Sequence, residues 1–562
     1  MPALSIMIWL PAACGLIGAL LPAAVGGVPA PATAPGGEVR RRPSPAGLLA
    51  LLASLAALGL AIAYLADYKA GGGPQHVTDV MWISALGIHY KLAVTGLNVV
   101  LVGLTTLLFA AAILASNLRA AGPPDRPRLF YFQLLLAESA VLGAFLAQDL
   151  ILFVAFFDLM LIPFYFLTGG WGRDPQGSTR VRATTKLVIY TLVGSLLMLA
   201  GAVAAGVLSA QQHGGNVDFA LSSLQHLQLS TGSQEWIFLL FAAAFLVKMP
   251  AFPLHGWMPD GYRAMPIEVL MVFSGVLSKV GAYGFLAIVL PLFPRAAVHF
   301  QTLMLLIALL SIVYGSVQAF TQTDVRLIAG YSSIAQLGFI TLGIFALNPQ
   351  GAQGALLQMV NHGLVVAPLL FITALLAQRA GGSEDIRQMG GIAFRAPVLA
   401  AVFMIVALAT LAIPGSGNFA GEFLILLGVF KAKEAIAIIA FSGVVMASVY
   451  ALRLYICSMH NRVASGVHSR EMSVRDGAVL VPILAVILFF ALYPQGALRK
   501  SEGSVQGAVI DASFAAKARG FECPPPADRP PDVLGCLSLT SSPEASVGSS
   551  ATPVLGDRVE TE

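Results

Sequence analysis

Residues 248–260 read Lys248-Met-Pro250-Ala-Phe-Pro253-Leu-His255-Gly-Trp257-Met-Pro259-Asp260, and the twelve residues before them, 236–247, are all apolar. A helix built on 236–247 cannot continue past Lys248. Pro250 and Pro253 each lack a backbone donor, and each ring clashes with the preceding turn. The chain therefore buries a lysine one turn before a helix break. Backbone freed at membrane depth is tolerated only where it lines a water-filled cavity or is covered by protein. A charge beside such a break points to ion movement rather than to soluble catalysis.

Working outward, apolar runs of membrane-spanning length, roughly 20 residues, fall near 3–25, 46–67, 91–116, 129–147, 149–171, 185–210 and 236–258. They continue near 266–293, 301–322, 326–347, 350–378, 394–431, 436–461 and 477–497. These runs predict an all-α polytopic membrane protein of about fourteen transmembrane helices. The composition agrees: 57% of the residues are hydrophobic, 11% are charged, and the mean hydropathy is +0.81. Soluble domains carry about 25% charged residues, so a chain this poor in charge needs lipid as its main solvent. The net charge of +4 is spread over loops and forms no stripe for nucleic acid. The first run has no basic segment before it and reads as helix one rather than a cleaved signal.

A second interruption, Pro414-Gly415-Ser416-Gly417-Asn418, lies in the twelfth run, just before Glu422. Two broken helices five apart, each with a charge at the break, are the sequence pointer to an inverted-repeat transporter. The expected organisation is helices 1–3 over 1–128, a first five-helix repeat over 129–293, and a second over 294–461. A last helix over 462–497 and a disordered polar tail over 498–562 complete it. Residues 26–45 and 68–90 read as loops rich in Gly, Pro and Ala.

Five ionisable residues share similar depth on five different runs: Asp158, Lys248, Lys279, His362 and Glu422. Asp158 is nine residues into its run, roughly 13 Å deep at 1.5 Å per residue. A charge at the bilayer centre costs about 2.5–3.5 kcal/mol even on lenient insertion scales, and snorkelling to the interface cannot reach from that depth. They form the candidate proton pathway. A carboxylate beside a buried ammonium holds it protonated, and withdrawing that carboxylate releases the proton; Asp158 and Lys248 are the expected pair. Glu138, Asp149 and His255 are secondary candidates, Asp149 because a carboxylate at a helix start also suits the helix dipole. Cys14 and Cys457 sit in apolar runs as small core residues, while Cys523 and Cys536 fall in the polar tail without metal-site spacing. No metal site is expected.

Orientation follows from the arginines. Loops after odd-numbered runs hold Arg40, Arg41, Arg42, Arg119, Arg126, Arg128, Arg173, Arg180 and Arg182, and later Arg263, Arg326, Arg379, Arg387, Arg395, Arg462, Arg470 and Arg475. Loops after even-numbered runs hold mainly Lys69, Arg295, Lys431 and Lys433. The odd loops are expected in the cytoplasm, with both termini outside, in a cell (inner) membrane.

Taken together, Lys248 through Asp260, Lys279-Val-Gly-Ala-Tyr283-Gly, Tyr331-Ser-Ser, Gln358-Met-Val-Asn-His362-Gly and Pro414-Gly-Ser-Gly-Asn-Phe419-Ala-Gly421-Glu422-Phe resemble one family. It is the chain M (subunit 4 type) family of the proton-translocating NADH:quinone oxidoreductase, respiratory complex I. The resemblance covers roughly 85–495. It implies an antiporter-like subunit of fourteen helices that moves protons while electrons pass from NADH to quinone in other subunits. It implies no cofactor in this chain, with flavin and iron–sulfur clusters in the partners, and other membrane and peripheral complex I subunits as those partners. The sequence departs from the family at Asp158, where Glu is usual, at Gln336 after the Tyr331-Ser-Ser motif, and at Tyr262, both in place of His. Gln336 thereby becomes a further secondary candidate. A subunit of a multi-subunit monovalent cation/proton antiporter is the alternative, and so is a membrane arm attached to a hydrogenase. Glu422, where those antiporters typically carry Lys, favours chain M.

Overall fold

A computed structural model describes residues 4–21, 44–71, 73–118, 124–174, 178–212, 214–463 and 466–519. The chain opens with α1 (Leu4–Leu20) and α2 (Pro45–Asp67), then strands β1 (Gln75–Ile83) and β2 (Ile88–Val94). Next come α3 (Val99–Asn117), α4 (Pro127–Leu146), α5 (Leu150–Leu159), α6 (Leu161–Trp171), α7 (Thr179–Gln212) and the short α8 (Leu221–Leu224). The middle holds α9 (Thr231–Lys248), α10 (Met258–Ala264), α11 (Ile267–Val272), α12 (Ser278–Gly284), α13 (Leu290–Leu292) and α14 (Pro294–His299). The last third holds α15 (Gln301–Thr321), α16 (Val325–Ile344), α17 (Pro349–Arg379), α18 (Pro397–Thr410) and α19 (Gly417–Ala432). It ends with α20 (Glu434–Met459), α21 (Val474–Leu492) and α22 (Gln495–Arg519).

The chain is an all-α, multi-pass membrane protein. Eleven helices among the described residues are long and apolar enough to cross a bilayer, counting α5–α6 and α11–α13 each as one. The other three apolar runs appear as the 17-residue α1 and as the interrupted pairs α9–α10 and α18–α19.

Burial sorts the helices into an inner and an outer set. Every residue of α16 is buried, and α17, packed on α3, α11, α16, α18, α19 and α21, is nearly so. A helix apolar all round belongs at the centre of such a bundle. The outer helices keep one apolar face exposed, as with Leu48, Leu52, Leu55 and Ile62 on α2 and Ile189, Val193 and Leu196 on α7. In lipid such faces carry no penalty, so helix association rests on close packing rather than on water exclusion.

Two expectations need correction. Residues 68–90 are not all loop: β1 and β2 form an antiparallel hairpin, with Thr78 opposite Leu92 and Val80 opposite Tyr90. Nor does the tail begin as disordered chain at 498. Residues 495–519 form α22, which packs on α13, α14 and α17. Val505, Ala508, Val509 and Ala512, spaced i, i+3, i+4 and i+7, bury one face of it and supply the amphipathic stripe a docked helix needs. Residues 520–562, with Cys523 and Cys536, and the loop arginines Arg40, Arg41, Arg42 and Arg119 lie outside the described residues.

Candidate functional site

The break at 249–257 forms as the prolines require. α9 stops at Lys248, whose side chain is 4% exposed. Side chains recover several of the freed backbone groups: Trp257 Nε1 donates to the Val247 carbonyl at 3.0 Å, and the Phe252 amide donates to Ser311 Oγ at 3.0 Å. The Lys248 ammonium stands 4.5 Å from the centroid of the Phe157 ring, a cation–π contact that offsets part of its lost hydration.

Asp158, on α5, is close enough to Lys248 to interact through charge, although no direct ion pair joins them. Its Oδ1 has no hydrogen-bond partner and Ser195 of α7 stands beside the carboxylate. The helix is also interrupted here, by the single residue Met160, which keeps helical dihedrals. Pro163 crowds the carbonyl of Leu159, four residues back, and α5 ends at Leu159. Asp158 therefore lies in the last turn before an interruption, as Lys248 does.

The helix after the first break is also irregular. Two π-helical turns, Phe273–Leu277 and Phe285–Val289, flank α12, which carries Lys279. Such turns release a carbonyl from the regular ladder and recur at functional positions. Here the Lys279 ammonium donates to the Ser274 carbonyl at 2.6 Å, and Ser278 Oγ donates to the same carbonyl at 3.2 Å. Tyr262 donates its hydroxyl proton to Ser274 Oγ at 2.7 Å, and Ser333 Oγ lies 3.4 Å from Ser274 Oγ.

Lys279 and His362 of α17 interact through charge, and the helices that carry them cross closely at Gly363. A Cβ on Gly363 would lie 2.6 Å from the Gly275 carbonyl oxygen, so only glycine permits this crossing. His362 is buried, feels the charge of Lys279, and leaves Nδ1 without a partner.

From α17 the polar line continues to the second break. Gln336 Nε2 on α16 donates to Glu422 Oε1 at 2.8 Å, and Gln358 Nε2 on α17 reaches Gln336 Oε1 at 2.7 Å and Glu422 Oε1 at 3.3 Å. Asn361 donates to the Gly417 carbonyl at 2.6 Å. Glu422 Oε2 has no hydrogen-bond partner, and the Tyr450 hydroxyl close by has none either. The break around Pro414 holds Ala412 and Gly415 at left-handed φ of 52° and 93°, and Ser416 Oγ, not Glu422, caps α19 by accepting from the Phe419 amide.

The secondary candidates divide. Gln336 belongs to the line. Asp149 is instead the N-cap of α5, accepting from Leu152 N at 2.9 Å and from His89 N of β2 at 3.1 Å. Glu138 is bonded to Ser54 of α2 at 2.9 Å. His255 lies in the α9–α10 connection between the rings of Phe252 and Tyr314. The sequence does not mark Ser274, Ser278, Ser333 and Gln358 as site residues, although Ser333 and Gln358 stand in the motifs above and Ser274 and Ser278 are spaced to share a helix face. Among the described residues no cluster of His, Cys, Asp and Glu can hold a metal ion.

Interrupted helices with buried charges at their breaks define an antiporter-like, polytopic membrane protein. Residues 147–448 match the family model described as "NADH:quinone oxidoreductase/Mrp antiporter, TM". The NADH-quinone oxidoreductase subunit M of Rhodobacter capsulatus is 36% identical over 460 residues, covering 79% of this chain and 87% of its own. The subunit M of Mycobacterium tuberculosis H37Rv is 36% identical over 481 residues, covering 80% and 86%. A chain of respiratory complex I from Thermus thermophilus superposes with a TM-score of 0.77 at 28% identity, covering 92% of this chain and 99% of its own. The chain belongs to the NADH-quinone oxidoreductase subunit M family.

Proposed function

We infer that this chain is the proton-translocating membrane subunit of an NADH:quinone oxidoreductase, moving protons while electrons pass from NADH to quinone in partner subunits. The observation that supports the reading is a set of buried groups from α5 to α19, with half-buried Asp158 and Lys248 linked by charge, Lys279 and His362 likewise, and Gln358, Gln336 and Glu422 joined by hydrogen bonds. Asp158, Lys248 and Glu422 lie near interruptions, Lys279 between two π-turns and His362 beside the Gly363 crossing, while Gln336 and Gln358 lie within regular helices.

Their roles follow from charge. Asp158 stabilises the ammonium of Lys248 through space, and a displacement that separates them weakens that influence. When the influence is withdrawn, Lys248 gives up its proton. Lys279 takes charge against the Ser274 carbonyl, and His362 accepts from its side. Gln358 and Gln336 do not titrate. Their amides hold Glu422 Oε1 in place and leave Oε2 to take and release the proton. Tyr262 and Ser333 steady Ser274. The departures Gln336 and Tyr262 from the family's His thus act as positioning residues.

The arginine-bearing ends of the helices face the cytoplasm in this reading, and flavin and iron–sulfur clusters belong to other subunits. The test is the intact complex in vesicles. Lys248→Ala and Asp158→Asn should abolish or severely reduce pumping, whereas Asp158→Glu should be tolerated. Normal pumping and NADH-driven quinone reduction in both Lys248→Ala and Asp158→Asn would refute the assignment.

A further inference from the structure

Away from the charge line, a cavity of about 780 Å³ opens among the ends of α3, α6 and α17 and the starts of α4, α11, α16 and α21. Its wall divides by chemistry. The inner part is apolar, with Phe130, Phe371, Leu375 and Val479, and the outer part carries arginines. Val479 lies five residues into α21, so the apolar wall reaches roughly 8 Å past the helix start at 1.5 Å per residue.

Not all of the lining charge is available. Arg326 is spent on Glu384 at 2.7 Å and on the Met265 carbonyl at 2.8 Å, and Arg173 also pairs with Glu384. Asp476 closes a capping box with Ser473 at the start of α21. Arg180, Arg470 and Arg475 remain, none with a side-chain hydrogen bond or ion pair among the described residues. They share the cavity with Asp125 and Glu268. Over the whole lining, five arginines (Arg173, Arg180, Arg326, Arg470 and Arg475) stand against four carboxylates (Asp125, Glu268, Glu384 and Asp476), an excess of one positive charge, which is the charge of one phosphodiester. Guanidinium is also the side chain best matched to phosphate oxygens.

An exposed apolar stripe of α21 begins at the cavity's edge. Val474 lines the cavity, and Val474, Val481 and Leu488, spaced by seven along α21, are all exposed. Spacing by seven keeps them on one stripe of the helix. We propose that this cavity binds a phospholipid, its phosphate held by Arg180, Arg470 and Arg475 and an acyl chain lying along Val474, Val481 and Leu488. Basic pockets between helix ends at a membrane surface are suited to such headgroups.

The test uses the intact complex and does not depend on proton pumping. Native mass spectrometry of the wild-type complex should show tightly held phospholipid, and Arg470→Gln combined with Arg475→Gln should lose one phospholipid per complex. An unchanged phospholipid count would overturn the proposal. If the double variant fails to assemble, an electron-microscopy map of the wild-type complex decides: headgroup density in the cavity continuing along α21 supports it. A phosphate ion that washes out and leaves no chain density overturns it, and so does a partner helix filling the cavity.

Discussion

Gly363→Ala is the substitution whose cost the structure states most directly. The added Cβ would lie 2.6 Å from the Gly275 carbonyl oxygen and 2.8 Å from Leu104 Cδ2, whereas ordinary contact starts near 3.4 Å. Leu104 can rotate, but the carbonyl belongs to the backbone of the neighbouring π-turn. The two helices must therefore part by about 0.8 Å, and overpacking of that kind costs about 1–3 kcal/mol. The displaced pair is the one that carries Lys279 and His362. A misplacement near 1 Å at a reacting site lowers rates by up to roughly a hundredfold, so pumping should fall further than assembly. Gly275→Ala is the control: its Cβ meets the movable end of Leu108 at 2.6 Å and the Gly363 oxygen only at 3.5 Å. The assay is NADH-driven proton uptake in vesicles beside thermal stability of the purified complex. Equal behaviour of the two variants would refute the claim that this crossing sets the Lys279–His362 geometry.

Three further outcomes are expected. Ser416→Ala should cost about 1 kcal/mol through loss of the α19 cap, read as a lower melting temperature with pumping retained. In Glu471, outside the membrane spans, burial pushes the carboxyl up, but the amides of Met472, Val398 and Leu399 and the charge of Arg379 outweigh it and hold the group below the usual carboxylate range. Its stabilisation is therefore full above the usual Glu value, near 4.3, and is lost as pH falls through the lower folded value. Glu471→Gln should flatten that acid limb in a pH-resolved melting series. Lys500 bonds the carbonyls of Leu65 at 2.8 Å and Tyr68 at 2.9 Å, so Lys500→Met should loosen α22 and raise its hydrogen exchange.

What the sequence disclosed depended on whether a feature leaves a signature in neighbouring residues. The breaks fall beside Pro250, Pro253 and Pro414, whereas Pro11, Pro368 and Pro482 sit inside continuous helices, so a proline alone does not decide a break. Pro163 carries the same signal, yet the fifth run reads as continuous, and in the structure it is interrupted only at Met160. The π-turns around Lys279 have no residue signature. The line from Gln336 and Gln358 to Glu422 needs three helices at once, and spacing within one helix cannot express it. α22 was legible in part: its buried stripe of Val505, Ala508, Val509 and Ala512 is present, but Gly and Ser around it resemble a solvated tail.

The central claim is that Glu422 passes protons rather than holding a helix end. Ser416 already caps α19, and both Gln336 and Gln358 spend their amides on Glu422 Oε1, which is the arrangement of a group kept in place to titrate. Glu422→Gln keeps size and hydrogen bonding but cannot carry a proton. The measurement is the number of protons moved per NADH oxidised by the assembled variant complex in sealed vesicles. The account predicts a clear fall in that number with assembly unchanged. A wild-type ratio in Glu422→Gln would contradict it.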